Sequence, residues 1–300
     1  MSLRLTYMKK FVPTLLVIIF IASSGFSNRQ WRKFYKTLRK SYGLEYVPND
    51  TVHLSNWIMD AASKKLGGFY MGSGEVTNKE YRDSLNALRA SGDNQAYERY
   101  YPDTTAWDYK KCACEPMKVH YFQHPAYDNY PVVNVTPEGA KAYCDWFGNK
   151  IDSEFEVLTV SARLPSQEEW VAAASGGRNF KYPFGPFLRN SRGSFLHNFK
   201  TVGEENIRFD NASGKREIVG HTSFYSDDGG FLTVETKSYF PNDYGFYNVS
   251  GNVGELLADG RVAGGSWDSY GYDIRIGSVQ EFVGPQPTVG FRVLVEYKEK

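Results

Sequence analysis

The segment 242–267 reads NDYGFYNVSGNVGELLADGRVAGGSW, and it decides what kind of fold the chain can have. Six glycines, with Asn and Asp between them, divide it into apolar pieces too short for helical periodicity. Such pieces read as loops and small strands that bury one or two side chains at a time. The same texture runs from Gly177 to the C-terminus. Helices are therefore expected before Gly177, and several carry their own start signals. Thr77-Asn78-Lys79-Glu80 and Ser166-Gln167-Glu168-Glu169 are capping boxes, in which hydroxyl and carboxylate each satisfy an orphaned N–H. Thr136-Pro137 opens a third helix, with proline where its missing N–H costs nothing.

The inner faces follow from spacing. Tyr81, Leu85 and Leu88 line the first helix. Ala140, Tyr143, Cys144 and Phe147 line the helix after Pro137, with Gly148 as its stop. The third runs through Trp170 and Ala174 to Gly176-Gly177. Gly68 to Gly72 reads as a short strand, and Ser55 to Leu66 as a helical stretch ending at Gly67-Gly68. Residues 67–300 thus form one α+β domain, loop-rich and low in regular structure.

Composition agrees. Among 300 residues are 28 Gly and 13 Pro beside 6 Trp, 22 Tyr and 20 Phe, a loop-rich globule pinned by aromatics. Hydrophobic content of 41% supports a core and excludes wholesale disorder. Charges nearly cancel, 35 Lys+Arg against 34 Asp+Glu, so no chain-wide nucleic-acid footprint exists and none is expected as a partner.

Residues 8–27, MKKFVPTLLVIIFIASSGFS, have the layout of a secretory signal peptide: Lys9-Lys10, an apolar run from Phe11 to Ala22, then small residues. Residues 1–27 are assigned to it, with Met8 standing where an initiator would. The apolar run falls short of the ~20 residues that span a bilayer. No cysteine precedes Cys112, so no lipidation site follows the leader. An exported protein is expected, periplasmic or associated with the outer membrane. Residues 28–66 are expected as a basic amphipathic helical segment. Trp31, Phe34, Tyr35, Leu38 and Tyr42 recur at helical spacing among Arg29, Arg32, Lys33, Lys36, Arg39 and Lys40. Two readings stand: a helix on an anionic membrane surface or an acidic partner, and an ordinary surface helix.

Familiar catalytic signatures are absent: no P-loop, dinucleotide fingerprint, G-x-S-x-G or H-E-x-x-H. His120 and His124 are four apart, but His124 precedes Pro125, which disfavours a helix there. Cys112-Ala113-Cys114 lacks a second pair to complete a thiolate metal site. A bridge from this segment to Cys144 is open, and Cys144 on its helical stripe reads as core.

Several motifs occur in a fixed order. They are Glu75-Val76-Thr77-Asn78 with Tyr81, Pro131-Val132-Val133-Asn134-Val135, Ala142-Tyr143-Cys144-Asp145-Trp146 and Arg163-Leu164-Pro165-Ser166 with Glu169-Trp170. Tyr182-Pro183-Phe184-Gly185, Asn242 to Tyr247, Ser250-Gly251-Asn252-Val253 with Glu255, RVAGGSW at 261–267 and Val289-Gly290-Phe291-Arg292 complete the series. Over some 230 residues the chain resembles the formylglycine-generating enzyme (sulfatase-modifying factor) family. The resemblance implies a variant of the C-type-lectin fold.

It also implies an activity the residues withhold. Family enzymes oxidise a sulfatase cysteine to formylglycine, using oxygen and copper held by two cysteines after GGSW. Those positions here are Ser269 and Ile274, so no copper is expected. The resemblance further implies structural calcium. One site maps onto Asn248, Gly251, Val253 and Glu255, and a second onto Asn198, Phe199, Asp228 and Gly230, oxygen donors suited to a hard cation.

Tyr101-Pro102-Asp103-Thr104-Thr105 with Trp107, Glu115-Pro116-Met117 and His124 to Pro131 resemble one branch, the gliding-motility and type IX secretion ring lipoproteins (Gld/Por type). The insertion Asn149 to Ser161 is shared with it. The branch implies a non-catalytic structural or binding protein of the bacterial envelope, with secretion or motility ring components as partners. Two alternatives are carried: an enzyme of the superfamily with non-copper oxidative chemistry, and a lectin-like receptor with Trp267, Tyr270, Tyr272 and Asp273 in its recognition loop.

Overall fold

The computed structural model describes residues 27–53, 56–57, 62–108, 114–202, 207–211, 215–218 and 228–300. The leader assigned to residues 1–27 lies outside them but for Ser27. The chain opens with α1 (Asn28–Ser41), β1 (Leu44–Val47), the antiparallel pair β2 (Asp50–Val52) and β3 (Lys64–Leu66), and β4 (Phe69–Gly72). Helices α2 (Asn78–Ala90), α3 (Asn94–Tyr100), α4 (Glu115–His120) and α5 (Pro137–Asp152) follow, then β5 (Leu158–Arg163) and α6 (Gln167–Ser175). The remainder holds short strands: β6 (Ile207–Asp210) paired with β7 (Lys215–Ile218), β8 (Gly254–Leu256), β9 (Arg261–Ala263), β10 (Val279–Glu281), β11 (Val289–Gly290) and β12 (Leu294–Glu299).

Two sheets organise the body. The first has the order β1-β4-β12-β5, antiparallel throughout, so N-terminal strands meet the C-terminal one. The second has the order β10-β9-β8-β11, with β8 and β11 parallel. Pleating sends alternate side chains of the first sheet into two cores. Tyr70 and Val295 enter one core with α1, α2 and α5; Phe69, Met71 and Leu294 enter the other, around Trp170 of α6. The three start signals hold: Thr77 and Ser166 form reciprocal capping boxes with Glu80 and Glu169, and Thr136 caps α5 ahead of Pro137.

Four expectations are corrected. Gly148 does not stop α5, which runs on to Asp152. Its glycine answers to packing, because a Cβ there would lie 2.8 Å from the Ala162 nitrogen on β5. The helical stretch expected over Ser55 to Leu66 ends in a strand, since Lys64–Leu66 pairs with β2. The boundary at residue 67 is not a structural one: β1 pairs with β4, and α1 packs into the first core. Nor is the apolar face of α1 free for a membrane. Phe34 and Leu38 are fully buried, and the Phe34 ring meets Phe155 at 4.9 Å and Tyr297 at 5.0 Å, edge-on.

Cys114 is disulfide-bonded while Cys144 is a buried free thiol in the first core, so no bridge reaches Cys144. Burial raises the Cys144 thiol well above its ordinary range, consistent with packing rather than reactivity. His124 stands outside α4, its Nδ1 accepting from the Ala126 N–H at 3.1 Å.

Candidate functional site

Beyond β9 the chain makes a tight turn at Gly264-Gly265 that brings Trp267 inward. Trp267 is buried, its indole N–H donating to the Pro287 carbonyl at 3.1 Å and its backbone N–H to the Asn252 carbonyl at 2.9 Å. Its expected place in a recognition loop is therefore corrected: it is a rivet between loops. Ser269 closes the same turn. Its Oγ accepts from the Ser266 N–H at 3.0 Å, and its N–H donates to the Ser266 carbonyl at 3.0 Å. Ile274 is fully buried against Tyr182 and Phe199. Of the two positions onto which the resemblance maps copper ligands, one serves a turn and the other a core. A hydroxyl and an aliphatic chain do not fit copper, which calls for soft donors.

A cleft of about 130 Å³ opens beside Ser269, lined also by Ser266, Gln280, Phe282, Gln286 and Thr288. Tyr272 is exposed, with the Arg275 guanidinium 4.2 Å from its ring centroid. Tyr270 and Asp273 are half-buried, the Lys200 ammonium lying 5.3 Å from the Tyr270 centroid. A larger cavity, about 420 Å³, lies between the Tyr42-Gly43 turn, residues 72–77, α5 and Glu235–Lys237. None of its residues is among the candidate site residues expected from sequence.

Behind the cleft, β8 and the Val289–Arg292 segment carry a buried ionic centre. Arg292 is fully buried and donates to Glu255 through Nη2 (2.7 Å to Oε1) and Nε (3.0 Å to Oε2). Nη1 and Nη2 also donate to the carbonyls of Gly72 and Tyr247, at 2.7 and 2.8 Å. The Trp170 indole donates to Glu255 Oε2 at 2.7 Å. The centre ties both sheets and α6 together. It also answers the first calcium assignment: the Glu255 carboxylate that was to serve a cation already faces a guanidinium and an indole N–H, so the set Asn248, Gly251, Val253 and Glu255 does not fit the ion as arranged here.

A second carboxylate stands beside this pair. Glu75 is buried, with Oε1 accepting from the Asn252 amide at 2.8 Å and Oε2 without a hydrogen-bond partner. Burial pushes its pKa up to about 8, against the pull of Arg292 and with a further push from Glu255. In the sequence Glu75, Arg292 and Trp170 stand out only as parts of the ordered motifs. The available signal was an acid and an arginine that the motifs hold beside apolar residues, Glu75 before Val76 and Arg292 after Phe291.

The second calcium assignment fares differently. Asp228 is buried, its Oδ2 accepting from the Phe199 N–H at 2.6 Å and its Oδ1 from the Gly230 N–H at 2.9 Å. The Asn198 amide donates to the Leu232 carbonyl at 2.7 Å, and its Oδ1 lies 2.8 Å from where a Cβ on Gly230 would stand. All four residues therefore meet at one junction. Gly251 abuts it: at φ +81°, a Cβ there would lie 2.2 Å from the Asn198 carbonyl, so only glycine fits. A carboxylate and an amide oxygen meeting at one junction are donor types that suit calcium. Among the described residues no cluster of three His, Cys, Asp or Glu exists, so any cation would depend on such amide and carbonyl oxygens.

Residues 55–297 match the model of the sulfatase-modifying factor enzyme 1-like domain. The chain belongs to this family. Formylglycine-generating enzyme of Mus musculus is 25% identical over 214 residues, 65% of this chain and 50% of that protein. A serine/threonine-protein kinase, pkn1 of Chlamydia pneumoniae, is 29% identical over 232 residues, 76% of this chain and 28% of the kinase. The chain thus spans about half the length of the first and about a quarter of the second. Among solved structures, PvdO from Pseudomonas aeruginosa superposes with a TM-score of 0.54 at 17% identity, covering 84% of this chain and 94% of that one. That likeness establishes the formylglycine-generating-enzyme-like fold that the ordered motifs implied.

Proposed function

We propose that this member of the family is a non-catalytic structural and binding protein of the bacterial cell envelope, serving gliding-motility or type IX secretion machinery. One observation carries the reading: Ile274, at a position where the family's enzymes hold copper, is fully buried among aromatic side chains. A thiolate has been exchanged for core packing, and Ser269 has been drawn into a turn. The motifs at 101–107, 115–117 and 124–131 support the choice of machinery, because they resemble that branch. Affinity purification from gently crosslinked envelopes tests it. Recovery of secretion or motility ring components supports the reading; recovery with a sulfatase or a small-molecule-processing enzyme sinks it.

In this proposal a calcium ion at Asn198, Phe199, Asp228 and Gly230 stiffens the junction of loops on which partners dock. Asp228→Asn is expected to lower the melting temperature by several degrees with calcium present and by less in chelator. An equal loss in both conditions would assign Asp228 to holding protein groups, such as the two N–H groups it caps, and would argue against the ion.

A further inference from the structure

The burial of α1 leaves a consequence on its other side. At about 100° per residue, its six cations fall within an arc of about 120°, opposite the arc of Trp31, Phe34, Tyr35 and Leu38. Arg29, Arg32, Lys33, Lys36, Arg39 and Lys40 are all exposed. Among the described residues only Arg39 has an acidic partner, Glu45 at 3.1 Å. The nearby Glu154 accepts the Tyr42 hydroxyl, and no acid occupies the first turn of α1. A chain with a formal net charge of +1 therefore concentrates five unneutralised cations on one face of a helix about 21 Å long.

The chemistry of that face selects its occupant. Specific protein docking depends on aromatic and other anchors that fill pockets, and the aromatics of α1 point into its own domain. What faces outward is a row of long, flexible cations without an apolar anchor. Such a row suits a fluid anionic surface, whose headgroups can move to meet each charge; each Lys or Arg near it strengthens binding about fivefold. We propose that α1 is a peripheral docking surface for an anionic lipid bilayer, engaging headgroup phosphates through Arg29, Arg32, Lys33, Lys36 and Lys40 without inserting a side chain into the hydrocarbon. The envelope location proposed above supplies the bilayer, and the inference rests on that reading to this extent.

The test is co-sedimentation of the full chain with phosphatidylcholine vesicles and with vesicles containing about a third phosphatidylglycerol, reading the ratio of the two affinities. Whatever the rest of the chain contributes to both vesicles cancels in that ratio. For the unaltered protein it should exceed about a hundredfold in dilute buffer and collapse toward one near 1 M salt. The variant Lys33→Gln/Lys36→Gln/Lys40→Gln should cut it by about a hundredfold with its melting temperature unchanged, since all three side chains are exposed. A ratio near one for the unaltered protein, or one the variant does not change, overturns the proposal. A variant that keeps the ratio but loses a crosslinked acidic protein overturns it too, and assigns the face to that protein. Ring components are sought by crosslinking in cells and lipid preference is read on purified protein, so each reading can fail alone.

Discussion

Glu75 and Glu255 are alike in burial, and Arg292 separates them. Glu255 holds the guanidinium through both oxygens and stays paired; Glu75, given one amide N–H, is left as the acid that burial favours in its neutral form. The sign of the resulting pH dependence is fixed. A carboxyl that titrates near 4.5 when exposed and at about 8 when folded keeps its proton in the folded state across that window. Stability therefore falls as pH rises from the lower value to the upper, and levels off above it. Glu75→Gln keeps the shape and removes the charge, so it should flatten that decline. It should exceed the unaltered protein in stability near pH 8.5 by on the order of 4 kcal/mol. Urea unfolding of both proteins at about pH 5.5 and 8.5 decides it, and parallel losses would sink the account. Little of this was legible in the sequence. Motif order placed Glu75 and Arg292 in one family pattern, but that a charged centre would tie β8, α6 and the β4 loop together depends on contacts between residues up to 220 positions apart. The burial of Trp267 was hidden for a related reason, since its partner carbonyl lies 20 residues on, at Pro287.

At the scale of elements, legibility tracks how local the cause is. Helix starts could be read because the capping groups sit within three residues of each other. The end of α5 could not. Glycine after an apolar stripe is the local signature of a stop, yet Gly148 stays helical because the helix must approach β5 closely. This is open to measurement. Gly148→Ala gains about 1 kcal/mol of helix propensity, but its methyl would lie 2.8 Å from the Ala162 nitrogen, an overpacking that costs about 1–3 kcal/mol. The net expectation is a lower melting temperature. Asn149→Ala, exposed on the next position of the helix, should be neutral or stabilising. If both alanines stabilise alike, the helix is free to shift and close packing does not explain the glycine.

For the molecule as a whole, the question is where the domain begins. A cut at residue 67 follows the first strand of the motif series and removes what reads as a basic, solvent-directed helix. The structure assigns that helix to the core. Phe34, Leu38 and Leu44 are fully buried and Val47 nearly so, and β1 covers the edge of β4 across four register pairs. At roughly 1.5–3 kcal/mol per buried side chain, these four contribute on the order of 6–12 kcal/mol, as much as a typical domain's entire stability. Their loss would also bare Tyr70, Phe155 and Tyr297, whose rings each pack against Phe34 beneath α1. A chain starting at residue 67 is therefore expected to be insoluble or to melt without cooperativity, while one starting at Ser27 should melt as a single transition. Calorimetry with amide hydrogen exchange on both chains separates the cases. A cooperative melt of the shorter chain at an unchanged midpoint would show that α1 and β1 ride on a domain complete without them. The cationic face of α1 would then sit on an appendage, free to reorient, instead of being held at a fixed angle by Phe34 and Leu38.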